Sequence, residues 1–387
     1  MSTSTHDDRM RVLSVLSSSN QMYSGIGRNV FELADRLRGR VAMEFAVDDL
    51  EPRNLDLVRR FAAERGMPVH VGRGVAVADA LDHRNLDLPG LVAEARWDLV
   101  ECLCWANAAT NDDLLDALGD RVPLAYTPHH QPSWTVPMDA TQQARTEAVH
   151  RRTTRRADLV LCDSPWEREQ LQPWSPGMGN YRVLRLGVDF ARYLPGPVDR
   201  PPRVLFIGDL AEPRKRFDRV VAVFEVLLAR WPELRLGVVG NRSDRAHDLI
   251  PGAIRGHVDL HGYLDESALI DLLASSRALF LLSEFEAFGI PILEALAVGT
   301  PVFLTEMAPT RSLFGEFRGA HFCPADDLGL TSEIVVHTLE SGRMAVLDVL
   351  DERKALAGAF DWDDLAARKW LLLASAWAGR RGFRASA

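Results

Sequence analysis

An α/β fold of two doubly wound, Rossmann-like domains facing across a cleft is predicted for this chain by three observations. It opens on a strand, a glycine loop and a helix; strand-like and helix-like runs then alternate in two series; and a proline cluster separates the series. Its 387 residues are also about two domains' worth of chain.

The opening strand is read at 12–16, from Val12, Leu13, Ser14, Val15 and Leu16. A polar loop ending in Ser24, Gly25, Ile26 and Gly27 leads into an amphipathic helix from Asn29 to about Leu37, with Val30, Leu33, Ala34 and Leu37 on one face. Further strand-like runs at 41–47, 69–71, 99–104, 124–127 and 159–162 complete the first series. Around Tyr193 the composition changes: Pro195, Pro197, Pro201 and Pro202 fall within eight residues, too many for a helix interior or a central strand. Strands are then read at 204–207, 236–239, 258–260, 278–282, 302–304 and 320–323, with helical spacing at 217–229 and 267–275. The expected division is a first domain at 1–190, a Pro-rich linker at 191–203 and a second domain at 204–362. A C-terminal segment, 363–387, carries a helix at 365–378 that should cross back to the first domain.

Composition excludes several function classes. Hydrophobic residues are 47% and charged residues 26%, ordinary globular usage that excludes wholesale disorder. A net charge of −9 argues against nucleic acid as the main partner. No apolar run reaches the length of a membrane span, and the first residues are polar without a basic leader, so a cytoplasmic protein with at most peripheral membrane contact is expected. Cys102, Cys104, Cys162 and Cys323 form no zinc-type spacing and read as reduced core residues. Only three of the 45 basic residues are lysines, Lys215, Lys354 and Lys369, which fits the codon bias of a GC-rich bacterial genome.

The stretch from Glu286 to Pro301 is the most informative. Pro291 suits the start of a helix, where a missing N–H costs nothing, and Gly289 lets a ligand approach the backbone. Ile290 stands where a Ser or Asp cap is usual, so the first helical amides are expected to be available to an oxygen-rich ligand. Glu294 is placed in the first helical turn and Glu286 in the loop before it, so both carboxylates can point into one pocket and accept from paired hydroxyls of a ribose or hexose.

This stretch resembles the signature of the retaining GT-B glycosyltransferases of family 4, in which two Glu separated by seven residues flank a Phe-Gly-x-Pro core. Nine positions agree: Glu286, Phe288, Gly289, Pro291, Glu294, Ala295, Ala297, Gly299 and Pro301. The run from Phe206 to Lys215 resembles the strand and loop whose cations hold the donor diphosphate. Residues 158–164 with 186–189 resemble the family's domain junction, and Phe360, Asp361 and Trp362 the turn into the returning helix. By this resemblance a UDP- or GDP-type nucleotide-sugar binds mainly to the second domain and a small-molecule or lipid-linked acceptor to the first. The hexose would be transferred with retention by front-face attack, without a metal or other cofactor.

The resemblance also implies the site residues. Glu286 would orient the hexose hydroxyls, Glu294 the ribose, Lys215 with Arg214 the diphosphate, and His129 the sugar's primary alcohol, with Phe288, Gly289 and Ile290 lining the donor site. The loop at Gly25 and Gly27 would give amides to the donor phosphate or the acceptor, or serve as a plain strand-to-helix turn. Lys215 is the one lysine in the first 353 residues and falls at the diphosphate position. The family's second cation is replaced by Asp209, with Arg214, Arg216 or a first-domain residue available to compensate. His130 stands where a common Asp would. Trp105 and Trp134 lie near strand ends on the acceptor side, placed either to stack on a sugar or to pack in the core. Asp361 and Asp363 form a DxD, but on the turn before the last helix, so no metal site is expected there. Arg151, Arg152, Arg155 and Arg156 read as a solvated helix face. The alternatives are a non-catalytic GT-B partner subunit, prompted by Asp209, and a nucleotide-sugar epimerase of similar architecture that needs no acceptor.

Overall fold

The computed structural model describes residues 8–16, 25–76, 83–94, 96–103, 108–129, 139–175, 179–197, 199–210, 212–240, 246–341 and 346–385. The chain divides into two units, one formed by 1–186 with 362–387 and the other by 187–361.

The first unit holds strands β1 (Met10–Val15), β2 (Val41–Asp48), β3 (Val69–Gly72), β4 (Gly74–Ala76), β5 (His83–Asn85), β6 (Leu99–Leu103), β7 (Leu124–Thr127), β8 (Leu159–Cys162) and β9 (Tyr181–Val183). Seven of them form a sheet in the order β3-β2-β1-β6-β7-β8-β9, with every pairing parallel. The order reverses between β1 and β6, which defines the switch point where doubly wound sheets bind ligands. β1 shows why such strands read as unbroken apolar runs rather than alternating ones. Val12 faces one core cluster with Phe31, Leu33 and Phe45, while Leu13 and Val15 face another with Leu114 and Tyr126. The C-terminal helix Trp362–Ala385 belongs to this unit: Trp362, Leu365 and Leu373 lie in the same core as the helix Gly25–Leu37.

That helix is fastened by a buried ion pair. Lys369 Nζ lies 2.5 Å from Glu101 Oε1 on β6, and Ser14 on β1 donates to the other oxygen at 2.9 Å. Near the helix start Asp363 accepts from Arg36 Nε at 2.7 Å. The arginines expected to be a solvated face are in part structural: Arg152 pairs with Asp112 at 3.0 Å, Arg151 lies over the Trp174 ring, and Arg156 donates to Val122 O.

The second unit holds β10 (Arg203–Ile207), β11 (Arg235–Val239), β12 (Val258–Gly262), β13 (Ala278–Leu281), β14 (Val302–Thr305) and β15 (Ala320–Cys323), in the order β12-β11-β10-β13-β14-β15. All five pairings are parallel, and the switch point lies between β10 and β13. Phe206, Phe224, Phe280 and Phe303 fill its core. Cys102, Cys162 and Cys323 are buried free thiols, while Cys104 lies outside the described residues. No helix among the described residues is long and apolar enough to cross a membrane.

Candidate functional site

In the second unit the loops leaving β10 and β13 run side by side because their strands are neighbours. Residues 214–216 and 284–286 are joined at four points. Glu284 N donates to Arg214 O at 2.7 Å, Arg214 Nη1 to Phe285 O at 3.1 Å, Lys215 Nζ to Glu286 Oε1 at 2.7 Å, and Arg216 Nη1 to Glu284 Oε1 at 2.9 Å. The sequence places Lys215 and Glu286 71 positions apart; the switch point brings them into one ion pair.

Glu286 is buried, and Ser283 Oγ also donates to its Oε1 at 2.8 Å. Burial by itself would push its carboxyl up. The charges of Lys215 and Arg214, with the hydrogen bonds from Lys215 and Ser283, outweigh that and hold it below the usual glutamate range. The carboxylate is thus kept ionised despite its burial. Arg214 is shared, lying 2.6 Å from Glu212 and 3.9 Å from Glu286. Asp209 is half-buried at the start of the same loop, and its carbonyl accepts from Glu212 N at 3.1 Å. Arg216 adopts a left-handed backbone, φ 47°, ψ 51°, as it caps the helix Phe217–Arg230, and its guanidinium pairs with Asp218 and Glu284.

The helix carrying Glu294 runs Ile290–Ala297, and its cap is Gly289 rather than Ile290. Gly289 has φ 81°, a conformation that strains any other residue, and a Cβ there would lie 2.5 Å from Ile292 Cδ1, which would have to shift. No side chain caps this helix. Glu294 is its fifth residue, one position further in than a start at Pro291 would put it, because the helix takes up Ile290. It is buried, and Oε1 accepts from Tyr193 Oη at 2.8 Å. Phe288 is buried edge-on against Phe314 and Phe360, so most of its ring serves the core.

In the first unit Gly25 opens the helix Gly25–Leu37 and Gly27 is buried in its first turn. His129 follows β7 and is buried, with φ 60°. Its Nδ1 lies 2.9 Å from Asp163 Oδ2, just beyond β8. Trp105, His130 and Trp134 lie outside the described residues. Among the described residues no group of three or more His, Cys, Asp or Glu is arranged to hold a metal ion.

Sequence reasoning missed Asp163, Tyr193 and Ser283. Only Asp163 left a local trace, since Ser164 and Glu167 after it have the spacing of a helix start; Ser164 Oγ indeed accepts from Glu167 N at 3.0 Å. Tyr193 and Ser283 are ordinary in sequence and become partners of the two glutamates only through the fold.

Two family models match nearly end to end. The model described as glycosyl transferases group 1 covers residues 194–334, and that described as glycosyl transferase 4-like domain covers 24–187. The chain belongs to the group 1 glycosyltransferases of the GT-B fold. Among the curated relatives of this glycosyltransferase, a glycogen synthase of Mycobacterium tuberculosis is 27% identical over 309 residues, 76% of this chain and 72% of that protein. A phosphatidyl-myo-inositol mannosyltransferase of Mycolicibacterium smegmatis is 27% identical over 165 residues, 41% of this chain and 42% of that protein. Among solved structures, the sucrose-phosphate synthase of Thermosynechococcus elongatus superposes with a TM-score of 0.74 at 18% identity, over 96% of this chain and all of that one. The Anabaena protein HepE in complex with UDP gives 0.75 at 16% identity, over 95% of this chain and all of that one. The glycosyltransferase therefore shares its fold with proteins of very different sequence.

Proposed function

We propose that this glycosyltransferase moves a hexose, with retention and without a metal, from a UDP- or GDP-linked donor to a small-molecule or lipid-linked acceptor. The observation that carries the reading is the Lys215–Glu286 pair at the carboxyl edge of β10 and β13. An ammonium has three N–H donors, so Lys215 can hold Glu286 and still donate to a phosphate oxygen. A cation and an ionised, buried carboxylate side by side fit the two halves of a nucleotide-sugar at the bond that breaks. Lys215 and Arg214 neutralise charge as it develops on the diphosphate, and Glu286 accepts from the sugar's hydroxyls.

The uncapped helix Ile290–Ala297 offers amides to oxygen, and Glu294, steadied by Tyr193, takes the ribose hydroxyls. His129 acts on the sugar's primary alcohol. HepE, whose fold this chain shares, has been seen with UDP-glucose, which supports a nucleotide-sugar as the class of donor. In this reading the protein contributes position and electrostatics, and no side chain becomes bonded to the sugar.

The test is a thermal-shift panel of UDP-, GDP-, dTDP- and ADP-hexoses. A ligand at 100 times its dissociation constant stabilises by about 2.7 kcal/mol, a shift that such an assay resolves. A UDP- or GDP-hexose should raise the melting temperature; no response to any donor contradicts the reading.

A further inference from the structure

Asp163 has no part in the reaction described so far, yet it holds one of its residues. β7 and β8 are adjacent and parallel, with Ala125 opposite Leu159 and Tyr126 opposite Val160. The residues just past their carboxyl ends therefore meet: His129 lies two beyond Thr127, and Asp163 one beyond Cys162. Both Asp163 oxygens face the ring, at 2.9 and 3.2 Å from Nδ1. The His129 side chain is 0% exposed and that of Asp163 7%.

The backbone is specialised at the same point. Pro128 fixes its own φ and cannot extend the β7 ladder, and His129 then turns left-handed at φ 60°. Among the described residues only His129 and Arg216 combine a side chain with positive φ. Such conformations persist where the surroundings over-determine them, as at binding and catalytic sites.

A second acid completes the cluster. Glu167 Oε2 accepts from Asp163 N at 2.6 Å, which fixes the backbone that carries the Asp163 carboxylate. Burial, and the negative charge of Asp163, hold the Glu167 carboxyl well above the usual range. Glu167 thus braces Asp163 through its backbone N–H.

We propose that Asp163 is a positioning residue for sugar transfer: it accepts the Nδ1–H of His129, fixes the plane of the ring and makes Nε2 the acceptor nitrogen presented to a donor hydroxyl. A carboxylate only accepts, so its partner nitrogen must carry the proton, and the tautomer of a neutral imidazole follows. This rests on the reading that His129 meets the donor sugar.

The test uses the full-length protein labelled with 15N-histidine, with the His129 signals assigned by their loss in His129→Ala. In the unmodified protein the nitrogen spectrum should show a proton-bearing Nδ1 and a bare Nε2 at His129. A bare Nδ1 overturns the proposal, whatever any variant does. Asp163→Asn, which keeps the shape but offers a donor group, should alter that pattern and lower turnover of the donor identified by thermal shift by roughly 10- to 150-fold, the range spanned by one charge-assisted hydrogen bond. The dissociation constant of the free nucleotide should stay within about twofold, since the effect falls on the reacting sugar. Glu167→Gln, which keeps an oxygen able to accept from Asp163 N, should leave spectrum and turnover at the parental level. If His129→Ala is slow and a folded Asp163→Asn is not, the proposal alone fails. If His129→Ala turns over like the parent, the role given to His129 fails and takes the proposal with it.

Discussion

Removing Lys215 should do more than delete a cation, because it strands its partner. Lys215 and Glu286 are 15% and 9% exposed and 2.7 Å apart, and Glu286 is held below its ordinary range chiefly against the opposing effect of burial. Breaking a buried pair from one side costs about 3 kcal/mol or more, since the remaining buried charge loses its main compensation. For a unit of this size that lowers the melting temperature by roughly 6–12 °C. Glu286, left with Ser283 and the more distant Arg214, should also rise in pKa. Replacing the carboxylate as well should relieve the defect, so Lys215→Ala with Glu286→Gln should be more stable than Lys215→Ala alone. The assay is a double-mutant cycle by urea denaturation, with the change in each midpoint multiplied by the common slope. Contacting charges of this kind are expected to couple by about 1.5–3 kcal/mol. If the two substitutions add to within about 0.5 kcal/mol, the pair does not exist in solution and the construction of the donor site around it is wrong.

Glu294→Ala should weaken binding of the free nucleotide in calorimetry while Glu286→Ala mainly lowers turnover, because a carboxylate on ribose acts equally in ground and transition states. Tyr193→Phe, which removes the hydroxyl donated to Glu294 at 2.8 Å, should weaken nucleotide binding in the same direction by a few-fold. The depressed Glu286 carboxyl contributes stability that is fully present above the ordinary glutamate range, roughly pH 4, and is lost as pH falls through its lower folded value. Acid unfolding of the parent should therefore be steeper below that point than that of Glu286→Gln. Arg216→Gly removes a left-handed arginine and two exposed ion pairs, so its midpoint in urea should be equal to or above the parent's. Transfer should survive EDTA; activity lost and restored only by Mg²⁺ or Mn²⁺ would return Asp361, Asp363 or Asp209 to consideration as ligands.

The two sheets were legible because parallel strands are buried on both faces and read as apolar runs. Among the strands, β7, β8 and β15 begin and end where the sequence places them, and β1, β10 and β11 differ by one or two residues. The short pair β4 and β5 and the edge strand β9 escaped, since three-residue strands carry no period. Helix starts were displaced where the cue was a proline: at Pro291 the helix gathers in Ile290 and leaves the cap to Gly289, which shifts Glu294 one residue inward. Single residues stood out in the sequence, and their partnerships did not. Lys215 stands out among so few lysines, but its bond to Glu286 depends on β10 lying beside β13. Asp163 looks like part of a helix start until β7 and β8 are seen to pair, and then it is the nearest acid to His129.

The stereochemistry of the released sugar bears most directly on the reaction assigned to these residues. The donor that stabilises the protein most is incubated with it, and the anomeric proton of the first product, the transferred or hydrolysed hexose, is followed by NMR before mutarotation. Front-face transfer from an α-linked donor gives the α anomer first, with release abolished in Glu286→Ala. A β anomer as the first product, or sugar released equally fast by Glu286→Ala, would contradict a retaining transfer organised by the Lys215–Glu286 pair.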